Sequence, residues 1–224
     1  MYILGYTIGA AIPPGKKEIG HRYGIIYTLK EVSLMLQVYT GNGKGKTTAA
    51  MGLAIRALGA GRKVYIMQFM KSLAYSEQKI LQGFAPELIL RTSGKPFFVA
   101  EEGTLSAELR DKLGDSVVIF PKGKPPQDYV ELIKDGFAEV TRAVSSGDYG
   151  LIILDELNMA LHFGLIGRSD VEELLEKAPE NTELVITGRC APDWLIERAD
   201  LVTEMKEVKH YYTKGVEARK GIEC

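Results

Sequence analysis

The sequence predicts an α/β chain in which a mostly parallel sheet is covered by helices on both faces. Three observations carry this. Six apolar runs rich in β-branched and aromatic residues recur along the chain, segments of helical spacing separate most of them, and a glycine-rich loop joins the first run to the first helical segment. Strands and helices in alternation give parallel pairing with the crossovers on the faces. Sites in such sheets lie beyond the carboxyl ends of the strands, and the polar residues there are the ones to weigh.

Taken in order, residues 1–34 precede the first core strand and fit it poorly. They read either as an arm folding over a partner subunit or as a non-native extension. Lys30, Glu31 and Val32 can be encoded by a purine-rich stretch resembling a bacterial ribosome-binding site, with Met35 following at suitable spacing. Residues 35–224 read as one domain. Its strands are expected at MLQVYT (35–40), KVYIMQF (63–69), ELILRT (87–92), LIILDE (151–156), ELVITG (183–188) and ADLVTE (199–204). The first helix starts at Lys46 and Thr47, carries small Ala49, Ala50 and Ala54 for close packing on the sheet, and stops where Gly59 and Gly61 can cap it. QDYVELIKDGFAEVTRAVSSG and SDVEELLEKAPE have helical spacing as well. Residues 93–127 break the rhythm with glycine, proline and charge, and predict an excursion over the active face with a short hairpin or helix of its own.

The 224 residues are 46% hydrophobic and 25% charged, enough for one domain with a substantial core. A formal net charge of -1 and no long basic run leave no electrostatic footprint for nucleic acid. Two cysteines, Cys190 and Cys224, are too few for a disulfide framework or a cysteine-rich metal site. No apolar run approaches a membrane span, and the N-terminus lacks the basic start and apolar core of a signal peptide, so a cytoplasmic protein is expected.

The stretch TGNGKGKTT carries the chemistry. Gly41, Gly43 and Gly45 let successive N–H groups point inward, and the following helix adds its N-terminal dipole. Lys46 offers a point charge to phosphate and Thr47 a hydroxyl to Mg²⁺. The loop opens on Thr40, where the G-x-x-x-x-G-K-[ST] pattern has glycine. Far along the chain, Asp155 and Glu156 end an apolar strand, a placement that suits a magnesium ion beside a phosphate loop. A guanine-reading Asn-Lys-x-Asp motif and the protein-kinase motifs are absent, and His21, His162 and His210 do not form a metal cluster.

YTGNGKGKTTAAMGLAIRALGAGRKVYIMQFMK, LIILDELNMAL, ELVITGRCAPDWLIERADLVTEM and the tail KHYYTKGVEARKGIE together resemble the ATP:corrinoid adenosyltransferases of the CobA/CobO/BtuR type. The match runs in order over most of residues 36–223, through the loop, the segment Met67 to Lys71 and the closing Gly221 to Glu223. The resemblance implies a RecA-like P-loop fold and transfer of the 5′-deoxyadenosyl group of ATP to the cobalt of a reduced corrinoid, with release of triphosphate. Cob(I)alamin, cobinamide and cobyrinic acid a,c-diamide are the implied acceptors. It further implies Mg²⁺ or Mn²⁺, a homodimer, and an electron-donating flavodoxin or other reductase. Position by position, it places Gly41, Asn42, Gly43, Lys44, Gly45, Lys46, Thr47 and Thr48 around the triphosphate, with Thr47 and Glu156 nearest the metal and Asp155 in support. Gln68 and Lys71 become candidates to line the nucleotide or corrinoid site, and Arg189 to bind phosphate or ribose. The family's Gly-Phe-Thr-Trp after the third strand is replaced by SGKPFFV, which leaves Phe97 and Phe98 as candidates against the corrinoid.

Two other classes fit the same loop. A P-loop ATPase or small-molecule kinase would use Asp155 or Glu156 to orient water or an acceptor hydroxyl. A non-catalytic ATP-dependent corrinoid chaperone would bind both ligands and release no triphosphate.

Overall fold

A computed structural model describes residues 34–223. The segment before Leu34, with the arm or late start expected there, and Cys224 lie outside the described residues. In chain order the strands are β1 (Met35–Thr40), β2 (Val64–Phe69), β3 (Leu88–Ser93), β4 (Phe98–Glu101), β5 (Val117–Phe120), β6 (Leu151–Asp155), β7 (Glu183–Thr187) and β8 (Leu201–Glu204). The helices are α1 (Lys46–Gly59), α2 (Ser76–Leu81), α3 (Ala107–Leu113), α4 (Gln127–Ser146), α5 (Leu157–His162), α6 (Arg168–Lys177) and α7 (Asp193–Arg198). All six strands expected from the sequence form, and they make one six-stranded sheet in the order β3-β2-β6-β7-β1-β8. Every pairing in it is parallel. One strand, β7, therefore separates the strand that feeds the glycine-rich loop from the strand that ends in Asp155.

Strand alternation divides the core into two layers. Leu36, Val38, Tyr65, Met67, Phe69, Ile152, Leu154, Leu184 and Ile186 face one side, where α4 to α7 cover them. Val64, Ile66, Leu88, Leu90, Leu151, Ile153 and Val185 face the other, under α1 and Leu81 of α2. Central strand β2 is buried at all six residues, as a strand covered on both faces must be. Helix α4 buries Tyr129, Ile133, Phe137, Val140 and Val144, a 4-4-3-4 spacing that keeps one stripe on the sheet. A Cβ on Gly136 of the same helix would lie 2.5 Å from Ser93 Oγ, so α4 approaches β3 closely there. Helix α1 meets the sheet through Ala50, Ala54 and Ala57, whereas Ala49, expected there too, is exposed because the helical turn carries it off the face that Ala50 and Ala54 share.

The excursion contains a helix, and its strands do not form a hairpin. β4 and β5 pair in parallel, with Phe98 opposite Val117, and α3 makes the crossover that parallel pairing requires. Its root is pinned at the carboxyl end of the main sheet, where a Cβ on Gly94 would lie 2.4 Å from the Lys71 backbone nitrogen. Among the described residues, no helix is long and apolar enough to cross a membrane.

Candidate active site

Local backbone geometry builds the site at the carboxyl ends of β1, β2, β6 and β7. The chain leaves β1 at Thr40 and turns through Gly41, which has φ of 94°. Cβ atoms on Gly41 and Gly43 would come within 2.5 and 2.7 Å of the Met205 carbonyl oxygen, so the loop needs glycine to lie against the segment after β8. The Gly43 N–H donates to that carbonyl at 2.7 Å. It is thus committed to the protein and does not point inward as the sequence suggested. Thr40 fixes the loop's other side. Its carbonyl accepts from the Met205 N–H at 2.8 Å, and its hydroxyl accepts from the Ala191 N–H at 3.3 Å.

Helix α1 begins directly after the loop with no side-chain cap and no acidic residue in its first turn. Its N-terminal amides and dipole are therefore left for an anion. Lys46 is buried, and its ammonium donates to the carbonyls of Gly41 at 2.7 Å and Gly43 at 2.8 Å. Burial, with Arg189 adding like charge, lowers its pKa against the opposing pull of Glu156 and Asp155. Asn42, Lys44 and Thr48 are exposed around the loop.

Asp155, fully buried, is the hub. Its Oδ1 accepts from Thr47 Oγ1 at 2.9 Å and Thr187 Oγ1 at 2.6 Å. Its Oδ2 accepts from Gln68 Nε2 at 3.0 Å and Lys71 Nζ at 2.7 Å. Burial alone would raise this carboxyl, but the Lys71 ammonium and hydrogen bonds from Lys71, Thr187 and Gln68 hold it below the usual carboxylate range. Glu156 follows in the left-handed region, with φ of 63°, an uncommon position for a non-glycine residue. Its N–H donates to Thr187 Oγ1 at 3.1 Å. Burial and the neighbouring Asp155 charge push its carboxyl upward. Burial alone would lower the Lys71 ammonium, but Asp155 and Glu156 outweigh it and raise its pKa.

The structure thus brings together Lys46, Thr47, Gln68, Lys71, Asp155 and Glu156. Arg189, exposed just past β7, forms no ion pair among the described residues and borders a cavity of about 420 Å³ with Tyr211 and Glu223 of the tail. Phe97 instead packs on Tyr129, with ring centroids 5.9 Å apart, and joins the core, while Phe98 is exposed at the start of β4. Trp194 also packs on the core, under the Arg168 guanidinium 5.0 Å from its ring.

Sequence reasoning missed three residues. Thr187 ends β7 and reaches Asp155; its position at a strand end between β1 and β6 was the available signal. Gln78, buried in α2, donates to Gln68 Oε1 at 2.7 Å and to the Ser72 carbonyl at 3.0 Å, which no local pattern announces. Asn158, buried in α5, donates to the Gly188 carbonyl at 3.1 Å and so steadies the turn that carries Arg189.

Oxygen donors of this kind, a threonine hydroxyl and two adjacent carboxylates, fit Mg²⁺ or Mn²⁺. Among the described residues no three His, Cys, Asp or Glu side chains form a metal cage. Mg²⁺ held by one or two carboxylates together with substrate phosphates needs none.

The family described as ATP:corrinoid adenosyltransferase BtuR/CobO/CobP matches residues 33–224. A corrinoid adenosyltransferase of Pseudomonas aeruginosa is 33% identical over 190 residues, covering 84% of this chain and 83% of its own. Another, from Sinorhizobium sp., is 28% identical over 229 residues, with 97% of each chain covered. The corrinoid adenosyltransferase of Escherichia coli strain K12 is 29% identical over 187 residues and 83% of each chain.

Proposed function

Because the chain belongs to the ATP:corrinoid adenosyltransferase family, we propose that it transfers the 5′-deoxyadenosyl group of ATP to the Co(I) centre of a reduced corrinoid and releases triphosphate. The observation that carries this reading is the cluster of Lys46, Thr47, Lys71 and Asp155 under the glycine-rich loop. It gathers cationic and hydroxyl groups where a triphosphate would lie.

The chemistry asks for little else. The lone pair on Co(I) attacks carbon 5′, the bond from that carbon to the triphosphate oxygen breaks, and its electron pair leaves with the triphosphate. Co(I) is already a strong nucleophile, so no side chain has to remove a proton. The protein has to align carbon 5′ with cobalt and stabilise charge gathering on the leaving group. Lys46, released from the carbonyls of Gly41 and Gly43, supplies charge to the triphosphate, and the first amides of α1 supply donors. Thr47, Asp155 and Glu156 would hold Mg²⁺ or Mn²⁺, which neutralises phosphate charge when bound. Gln68 positions Asp155, and Gln78 positions Gln68. Arg189 would bind phosphate or ribose at the mouth of the tail cavity, and exposed Phe98 is better placed than Phe97 to meet a corrinoid. The reading extends to a homodimer fed by a flavodoxin or another reductase.

Anaerobic incubation with ATP, Mg²⁺ and chemically reduced cob(I)alamin should produce a light-sensitive cobalt–carbon spectrum and one triphosphate per corrinoid. Formation of ADP or orthophosphate with no such spectrum would instead establish an ATPase or kinase.

A further inference from the structure

The Lys71 ammonium lies 2.7 Å from Asp155 Oδ2 and 3.2 Å from Thr47 Oγ1, and so bridges two of the oxygen donors assigned above to a metal ion. Its position is built by the backbone. Met70 adopts the left-handed region with φ of 59°, its N–H donates to the Ser93 carbonyl at 2.7 Å, and Gly94 packs against the Met70–Lys71 peptide. That turn sends the Lys71 side chain back under the sheet's carboxyl end, where only 13% of it remains exposed. Asp155 is fully buried and adjoins a second carboxylate, so a positive charge is needed at this point. Lys46 does not supply it, because its ammonium is spent on loop carbonyls.

We propose that Lys71 is an exchangeable counter-ion, occupying in the nucleotide-free protein the place a divalent cation takes, and leaving it for the triphosphate when nucleotide and metal arrive. Its long stem allows the ammonium to turn from Asp155 toward the loop without backbone movement. Two consequences follow. A divalent ion alone binds poorly, since it has to displace a tethered cation; nucleotide and metal together bind well, because the phosphates give the displaced ammonium a new partner. The site is thereby held closed to free metal and opened by the metal–nucleotide pair.

This inference rests on the proposed metal site, and its test uses no corrinoid and no turnover. Mn²⁺ binding is read by the loss of the free-ion electron paramagnetic resonance signal, with and without a non-hydrolysable ATP analogue bridged by imido nitrogen. Wild type should bind Mn²⁺ at least about tenfold more weakly without the analogue than with it. Lys71→Met, which keeps the stem and removes the charge, should bind Mn²⁺ alone at least about tenfold more tightly than wild type. Lys71→Arg should stay within about threefold of wild type. Equal Mn²⁺ affinity of wild type and Lys71→Met in the absence of nucleotide overturns the proposal while leaving the metal site intact. No Mn²⁺ binding by wild type even with the analogue overturns both. A measurement on wild type alone guards against a variant that fails to fold. Saturating Mn²⁺ should raise acylation of Lys71, read by peptide mass spectrometry, at least about threefold, and an unchanged yield is decisive against displacement.

Discussion

At the scale of single residues, Lys46 and Glu156 separate the demands of function from those of stability. In the proposed reaction Lys46 is the charge that the loop would carry toward the leaving group. Lys46→Ala should lower kcat by about 10²–10³-fold, the range seen when one oriented donor to developing charge is lost. Steady-state assay of triphosphate release checks it, and activity within a few-fold of wild type would contradict the role. Glu156 acts against stability. Its carboxyl is pushed up by burial and by Asp155, so its folded value lies above its unfolded one. Such a group favours folding when protonated and costs stability increasingly as pH rises from its ordinary value near 4.5 through the raised folded value. Glu156→Gln should therefore raise Tm at pH 7 by about 2–4 °C, corresponding to roughly 1 kcal/mol in a chain of this size, while reducing metal-dependent turnover. Asp155 has the other sign. Its pKa is lowered, so its contribution is full above its ordinary value of 3.8 and disappears as pH falls through the lower folded value. Asp155→Asn would leave the Lys71 ammonium beside a neutral amide, at a cost of about 3–5 kcal/mol. Its chemical-denaturation midpoint at pH 7 should fall accordingly, and the gap from wild type should narrow on acidification below about pH 4.

Elements were legible wherever burial and periodicity agreed. Five of the six main strands carry apolar runs that are covered on one or both faces, edge strand β8 is exposed at all four residues, and α4 shows its stripe because one of its faces lies on the sheet. The pairing of β4 with β5 was not legible. FVAE and VVIF are short apolar runs that would suit a hairpin equally well, and only the long-range packing of Val99 and Phe120 on the core selects the parallel crossover. The helix–sheet approach at Gly136 was equally hidden, since a glycine inside a helical segment reads locally as a weakness. It gives a test that runs against propensity. Alanine should favour the helix by about 1 kcal/mol over glycine, yet its methyl group would lie 2.5 Å from Ser93 Oγ and 2.6 Å from Ser93 Cβ. Overpacking of that kind costs about 1–3 kcal/mol, and Gly136→Ala should lower the melting temperature. A rise would show that α4 does not seat on β3 at this depth.

Across the whole molecule, the recognisable site residues converge because parallel strands deliver every carboxyl end to the same edge. That is why Lys46, Asp155 and Glu156, separated by 110 positions in sequence, could be assigned to one site before any contact was known, while Gln68 and Lys71 joined them through the family resemblance. The sequence could not place the tail. Residues 207–223 form little regular structure, and among the described residues no buried core residue lies beyond Leu195, so hydrophobic patterning has nothing to report there. The tail is held by polar contacts instead. Lys112 of α3 pairs with Glu217 at 2.7 Å, Arg219 pairs with Glu223 at 3.1 Å, and Tyr211 donates to Glu223. Exposed ion pairs of this type each contribute about 0–1 kcal/mol, whereas the cavity they shape contains Arg189 at its border. Stability and function should therefore part company when the tail is removed. A chain ending at Lys206 retains Met205, which anchors Thr40 and Gly43, and its melting temperature in calorimetry should fall by no more than about 4 °C, the shift expected for roughly 1 kcal/mol. Its kcat/KM should fall at least about tenfold, equivalent to about 1.4 kcal/mol of lost transition-state binding. A truncated protein that melted far lower would assign the tail to the fold; one that turned over at the full rate would remove the tail and its cavity from the site.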